Sequence, residues 1–294
     1  MKRERRVYLL DPQEIPPETI AVAFAKTSRS PETFDTIAAE LTAEKSSEFH
    51  EKWVVGYGHA SVAEHAVLHI AVENISRLAV ETLESNRLAS YTEKSTRYQK
   101  WGEEDYHIPA ELIDSPVEGE YRETLRRLHR TYEEALEKVR TVVETNNPQK
   151  VEENSAGYER RLRTIYVDVC RYLLPAASLA NVGMTINARA LEHALVKLLS
   201  SPLAEARLIG REIKAAAVAQ VPTLIKYADE NAYMQQSAAA MELAASGLAG
   251  RTAVKQDWLD LVKYDPQAEM EVLTALLYRH SPDIGYAKIL SDIE

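Results

Sequence analysis

Apolar residues along this chain recur mostly at helical spacing. The clearest stripe is Leu191, Ala194, Leu195, Leu198 and Leu199, an i, i+3, i+4, i+7, i+8 series that predicts a helix with one face in a core. Residues 119–146 read as a charged amphipathic helix ended by Asn146, Asn147 and Pro148, and another helix is predicted over 157–173. The helical pattern continues over 203–233 with a break at Pro222, and again over 234–294, as in MEVLTALLYRH. Two short apolar runs, 7–10 and 20–25, and the β-branched segment 66–73 read instead as strands. A polar break at 27–33 leads into a charged helix predicted over 33–55. Gly56 and Gly58 interrupt that pattern, and Ser61 with Glu64 has the S-x-x-E spacing that caps a new helix by reciprocal backbone hydrogen bonds. The acidic, proline-containing stretch 102–118 reads as a connector. The expected organisation is a main domain over 1–233 and a helical extension over 234–294, with Trp258, Tyr264 and Tyr278 as core or interface aromatics.

Composition narrows the function. With 294 residues, 45% of them hydrophobic and 27% charged, the chain can bury a sizeable core. A net charge of −10 argues against a general nucleic-acid binder, because such affinity comes from clustered Lys and Arg neutralising phosphates. The single cysteine, Cys170, excludes an intramolecular disulfide framework and any multi-cysteine metal site, and is expected as a small buried hydrophobe. The opening MKRERRVYLL is basic, but Asp11 and Pro12 cut its apolar run short of a signal-peptide core, and nothing later approaches a membrane span. A cytoplasmic protein with no membrane partner is expected.

Two stretches carry candidate chemistry. His59, His65 and His69 suggest a metal site, but if 66–73 is a strand, i and i+4 lie about 13 Å apart along it. The order also differs from H-E-x-x-H, since Glu64 precedes the first histidine of the pair. No metal site is expected, and His65 and His69 read as structural. The segment 85–98, SNRLASYTEKSTRY, combines three Lys or Arg with five Ser or Thr and one carboxylate, a composition suited to a phosphorylated ligand but, taken alone, more often that of a solvated loop.

Arg87, Ser90, Glu93, Ser95, Arg97 and Tyr98 resemble the signature R-H-R-x-x-S-x-N-E-x-S-x-R-Y of the flavin-dependent thymidylate synthases. Further blocks agree in order: GHASVAEH at 58–65, ISR at 75–77, RYLLP at 171–175 and TINARALEH at 185–193. The resemblance implies an α+β fold, an antiparallel sheet flanked by several helices, assembled as a homotetramer with FAD between subunits. It implies transfer of a methylene from methylene-tetrahydrofolate to C5 of dUMP, with FAD reduced by NADPH and its hydride completing the methyl group. FAD would then meet His59, Ser61, Arg87, Glu93, Asn187, Arg189 and His193, and dUMP would meet Thr82, Ser95, Arg97 and Arg171, with Ser95 and Arg171 as the catalytic pair. No G-x-G-x-x-G occurs, so no Rossmann flavin site is expected.

The chain departs from the family pattern at two places. Ser85 and Asn86 replace the leading Arg-His, and the arginine that would polarise the uracil N3 is matched by Leu198 or Leu199, with Arg207 the nearest cation able to reach back. Three readings follow: a divergent flavoenzyme acting on a uridine nucleotide, a non-catalytic relative that keeps nucleotide binding or a structural role, and a metal enzyme built on the three histidines.

Overall fold

The structure is a computed structural model that describes residues 8, 10–12, 14–27, 30, 32–246, 263–280 and 283–293. It forms two compact units, residues 1–242 and 243–294. The first is built on a three-stranded antiparallel sheet of β1 (Val67–Ser76), β2 (Ala89–Glu93) and β3 (Leu179–Asn187) in the order β1-β3-β2. Ala180, Val182, Met184 and Ile186 alternate into the core along β3, as a strand with one covered face requires. In β1 the register shifts between Val72 and Ile75, where Asn74 takes φ +57° and its N–H donates to Asn181 Oδ1 at 2.9 Å. Asparagine tolerates that left-handed geometry better than a β-branched residue would.

The buried sheet face packs on α4 (Arg77–Glu84), α7 (Ala188–Leu199) and α8 (Ala204–Val218). The leucine stripe of α7 is buried as its spacing predicts. Each such leucine contributes about 1.5–3 kcal/mol through burial. α7 and α8 approach closely at Gly210, where an added Cβ would stand 2.9 Å from Leu198 Cβ. A second cluster joins α5 (Glu118–Asn146) to α6 (Ser155–Cys170) through Tyr132, Leu136, Leu162 and Tyr166. Cys170 is buried there, and that burial pushes its thiol pKa up. Trp101 roofs this cluster and donates from Nε1 to the Leu179 carbonyl at 2.6 Å, linking it to the start of β3. The connector preceding α5 holds a short helical turn, Ala110–Leu112, and a single antiparallel β-bridge from Tyr106 to Ser178.

The N-terminal region corrects two expectations. Residues 20–25 are not a strand but part of α1 (Pro17–Thr27). Pro17 sits at the first helical position with Glu18 beside it, a helix-start arrangement. The alternation of alanines with Val22 and Phe24 imitates a strand period only because alanine fits either side of either element. The buried Glu18 carboxylate accepts from the N–H groups of Thr223 (2.9 Å) and Leu224 (3.1 Å), and its carbonyl receives His50 Nε2–H at 2.9 Å. Burial pushes the His50 pKa down, consistent with a neutral ring. The helix predicted over 33–55 is in fact α2 (Phe34–Ala39), α3 (Ala43–Phe49) and a π-helical turn at His50–Gly56. The run 7–10 lies largely outside the described residues.

α9 (Ala232–Ser246) follows the main body. In the second unit, α10 (Ala268–His280) and α11 (Tyr286–Ile293) pair through Tyr278 and Tyr286, whose rings meet edge to face at 6.0 Å. Tyr264 is exposed, and Trp258 lies outside the described residues. Among the described residues no helix is long and apolar enough to cross a membrane.

Candidate functional site

The residues matched to the family's nucleotide and flavin positions gather at the two ends of β3. At its N-terminal end, β2 runs out through Glu93 into a turn that carries Ser95, Thr96 and Arg97. Ser95 Oγ accepts the Arg97 N–H at 3.3 Å, which fixes the turn. Arg97 Nε lies 3.1 Å from Asp168 Oδ1, and Arg171 Nε donates to the same oxygen at 2.8 Å. Arg171 also reaches Thr96 Oγ1 at 3.4 Å and lies over the Tyr172 ring at 4.9 Å. Nearby, Arg163 Nη2 donates to the Tyr98 carbonyl at 2.8 Å. Ser95, Arg97 and Arg171 are thus brought together, organised by an acid that motif reading missed. Its signal was available: Asp168 precedes Arg171 by one helical turn. Glu93 pairs instead with Arg77, which also meets Glu81 at 2.6 Å. Thr82 lies apart on α4, its hydroxyl donating to the Leu78 carbonyl at 3.3 Å.

At the C-terminal end of β3, Asn187 caps α7 by accepting the Ala190 N–H at 2.9 Å. Beside it opens a cleft of about 1070 Å³ lined by Arg87, Asn187, Arg189, Glu192, His193 and Lys197, among others. The expected flavin residues Arg87, Asn187, Arg189 and His193 therefore share one cavity. Glu192 and Lys197 were not anticipated, although Lys197 continues the row of Arg189 and His193 at the same four-residue step. The Glu192 pKa is pushed up, chiefly by burial, with His193 pulling the other way. Arg189 pairs with Glu64, so the expected capping role of Glu64 is not realised: the segment Ala60–His65 is a short 3-10 helix whose N-cap, His59, makes no side-chain capping bond.

His59 and Ser61 line a neighbouring cleft of about 640 Å³ with Phe24, Trp53, Glu64 and His65. The His65 ring lies 5.0 Å from that of Phe24, and His69 Nδ1 is 2.9 Å from Thr185 Oγ1 across the β1–β3 ladder. Among the described residues no group of His, Cys, Asp or Glu has metal-binding geometry.

The positions where the chain departs from the family pattern are absorbed by the fold. Ser85 Oγ donates to the Thr82 carbonyl at 2.8 Å, and buried Asn86 donates from Nδ2 to the Leu83 carbonyl at 2.9 Å, so both finish α4. The Tyr91 hydroxyl meets the Asn86 carbonyl at 2.8 Å. Leu198 and Leu199 are core residues, 1% and 9% exposed. Arg207 does not reach back to a ligand site, because Nη1 donates to the carbonyls of Ser201 (2.7 Å) and Pro202 (2.8 Å).

The two ends are separate within one chain. Glu93 pairs with Val182, five positions before Asn187, a separation of about 17 Å along a strand. The scaffold is thus α+β, with arginine side chains gathered at both ends of one central strand. Residues 10–223 match the family described as thymidylate synthase complementing protein, Thy1, and the chain belongs to that family. It is 31% identical over 204 residues to a UPF0159 protein of Chlamydia muridarum, covering 67% of this chain and 39% of that protein. A flavin-dependent thymidylate synthase of Saccharolobus solfataricus is 29% identical over 224 residues, 75% of each chain. In fold it resembles a UMP/dUMP methylase, PolB from Streptomyces cacaoi, solved with 5-Br dUMP, at a TM-score of 0.50 and 16% identity over 71% of this chain and 88% of that one. The chain spans less than half the length of the chlamydial relatives it matches, 39% and 48%.

Proposed function

We propose that this protein is a cytoplasmic, FAD-dependent, thymidylate synthase-like enzyme that modifies dUMP at C5 with methylene-tetrahydrofolate and NADPH, working as a homotetramer. The observation that carries the reading is the gathering of two motif-matched sets, each into its own site, at opposite ends of β3. A separation of about 17 Å is too long for one nucleotide ring to meet both sets, which supports an assembly in which a second copy brings its cleft to the Ser95–Arg97 turn. Membership of the Thy1 family, with flavin-dependent thymidylate synthases among its similar relatives, supports the chemistry.

The cleft beside α7 fits a flavin dinucleotide. Its volume of about 1070 Å³ lies at the large end of small-ligand sites, and its Arg, Lys, His and Asn groups offer the donors that phosphates and ring carbonyls need. When bound, the flavin would supply the hydride that completes the methyl group. Asn187, Arg189 and His193 would hold it with Arg87, while His59 and Ser61 would face it from another copy and Glu93 would border it. Arg97 and Arg171 would bind the nucleotide through phosphate or base carbonyls, for which a planar guanidinium is suited. Asp168 holds both guanidiniums in place before the ligand arrives. Ser95 would lie against the uracil ring, with Thr82 near the nucleotide.

A second reading has its own support: a relative that keeps nucleotide binding but is catalytically impaired. With Ser85 and Asn86 used to end α4 and Leu198 in the core, this chain offers no arginine to polarise N3 at the motif position, a contribution worth about a hundredfold or more in rate. The visible spectrum of protein incubated with FAD, desalted, and then given dUMP tests the proposal. A retained flavin band that shifts with dUMP, followed by NADPH oxidation, is expected. Retained flavin with no turnover and no rescue of a thymidine-requiring host would favour the second reading, and no retained flavin would reject the first.

A further inference from the structure

The cleft beside α7 carries more positive charge than the motif-matched residues explain. Arg189, His193 and Lys197 stand four residues apart on one row of α7 and span about 12 Å of helix. Arg87 lines the same cleft from the turn after α4. Arg189 is offset by its ion pair with Glu64, whereas Arg87 and Lys197 have no ion-pair partner among the described residues. Glu192 also lines the cleft, with burial pushing its pKa up and His193 pulling it down. Lys197 is the residue α7 turns into the cleft at this level, since Leu198 beside it is 1% exposed in the core.

We propose that Lys197 is an anion-binding residue of this cleft, its ammonium group engaging the pyrophosphate of a bound dinucleotide. The row runs about 12 Å along the cleft, longer than one phosphate fills, so a dinucleotide lying along it would carry its linked phosphates past Lys197. Naming the dinucleotide as FAD rests on the function proposed above; the anion site does not. Ser85, Asn86 and Leu198 are committed to the fold, and Lys197 supplies this cleft with a cation beyond the motif-matched Arg87 and Arg189. Its bland alternative is local: a lysine in the last turn of α7 also complements the negative end of the helix dipole. That role would move the melting temperature and leave ligand affinity alone.

The test is a fluorescence titration of the full chain with FAD and with riboflavin, which has no phosphate, for the native protein, Lys197→Ala and Lys197→Arg, with melting curves alongside. The expected result is FAD affinity weakened by about 10- to 100-fold in Lys197→Ala, mostly recovered in Lys197→Arg, with riboflavin changed by less than about twofold. Lys197→Gln keeps the apolar stem and serves if the alanine variant melts early. Native FAD affinity in both neutral variants, or an equal loss for riboflavin, would overturn the proposal. If the native protein binds no flavin at all, the FAD reading fails separately, and inorganic pyrophosphate becomes the probe. A pyrophosphate-induced rise in melting temperature that vanishes in Lys197→Ala would uphold the anion site, while no rise, or the same rise in both, would reject it.

Discussion

At the N-terminal end of β3 the cations are already held. Arg97 and Arg171 share one oxygen of Asp168, and the α5–α6 cluster supports them from behind. At the C-terminal end the cations line an open cleft: Arg189 is paired, Arg87 and Lys197 have no ion-pair partner among the described residues, and the turn just before Arg87 is built from α4-capping residues. The first arrangement is preorganised, so a ligand there would not have to order long side chains on arrival. The second can accept an anion without first breaking a salt bridge at Lys197. The contrast is therefore one of preorganisation: Asp168 fixes the arginines at one end, while the cleft at the other keeps cations that no carboxylate among the described residues holds.

The strongest challenge to that contrast is to restore the family's arginine. Leu198→Arg places a charge in a closely packed α7–α8 contact and is expected to cost about 4 kcal/mol or more, read by urea unfolding, without rescuing a thymidine-requiring host. Native-like stability with gained turnover would show that the helix can present this position to a ligand after all.

Next in size is the Asp168-held end. Arg171→Ala should weaken dUMP binding by about tenfold or more by calorimetry, since a charge-assisted contact is lost. Arg97→Ala should do less, because its side chain is 59% exposed. An unchanged dUMP affinity in Arg171→Ala would remove the ligand role from this end.

Smaller again is the turn at the cleft. Asn86→Ala deletes a buried donor to the Leu83 carbonyl and should lower stability by about 1–2 kcal/mol in chemical denaturation, with FAD affinity held within about threefold. A large loss of FAD affinity at native stability would make Asn86 a ligand residue and blur the distinction between motif and cap.

The smallest effect belongs to the α5–α6 cluster. The buried Tyr132 hydroxyl has no hydrogen-bond partner among the described residues, and burial pushes its pKa up to about 12. The unfolded chain would ionise near pH 10 and the native state later, so stability present below about pH 10 is lost as the pH rises toward 12. Tyr132→Phe should be neutral or stabilising by about 1 kcal/mol at pH 8 and flatten the alkaline fall in melting temperature. A marked loss at pH 8 would show that the hydroxyl has a partner, such as a bound water.

Much of the scaffold was legible in the residues alone. The α7 stripe, the strand at β1, the long α5 and the connector before it all depend on periodicity and turn chemistry, which are properties of near neighbours in the chain. Of the motif-matched residues, Ser95, Arg97 and Arg171 gather at one end of β3 and Arg87, Asn187, Arg189 and His193 at the other, while Thr82 stands apart and His59 and Ser61 line a neighbouring cleft. Alanine-rich α1 was misread because alanine carries no facing preference, and the 33–55 segment because a charged pattern does not reveal where a helix tightens or widens.

Only the tertiary structure decided which motif positions face a ligand and which hold the fold together. Leu198 and Lys197 are adjacent, yet α8 at Gly210 takes the first into the core and leaves the second in the cleft. Asp168 and Arg97 lie far apart in sequence and meet only because β2 and α6 end at the same edge of the sheet. Periodicity assigns a residue to a face of its own element; what that face meets depends on elements distant in the chain, and so emerges only when the core has closed.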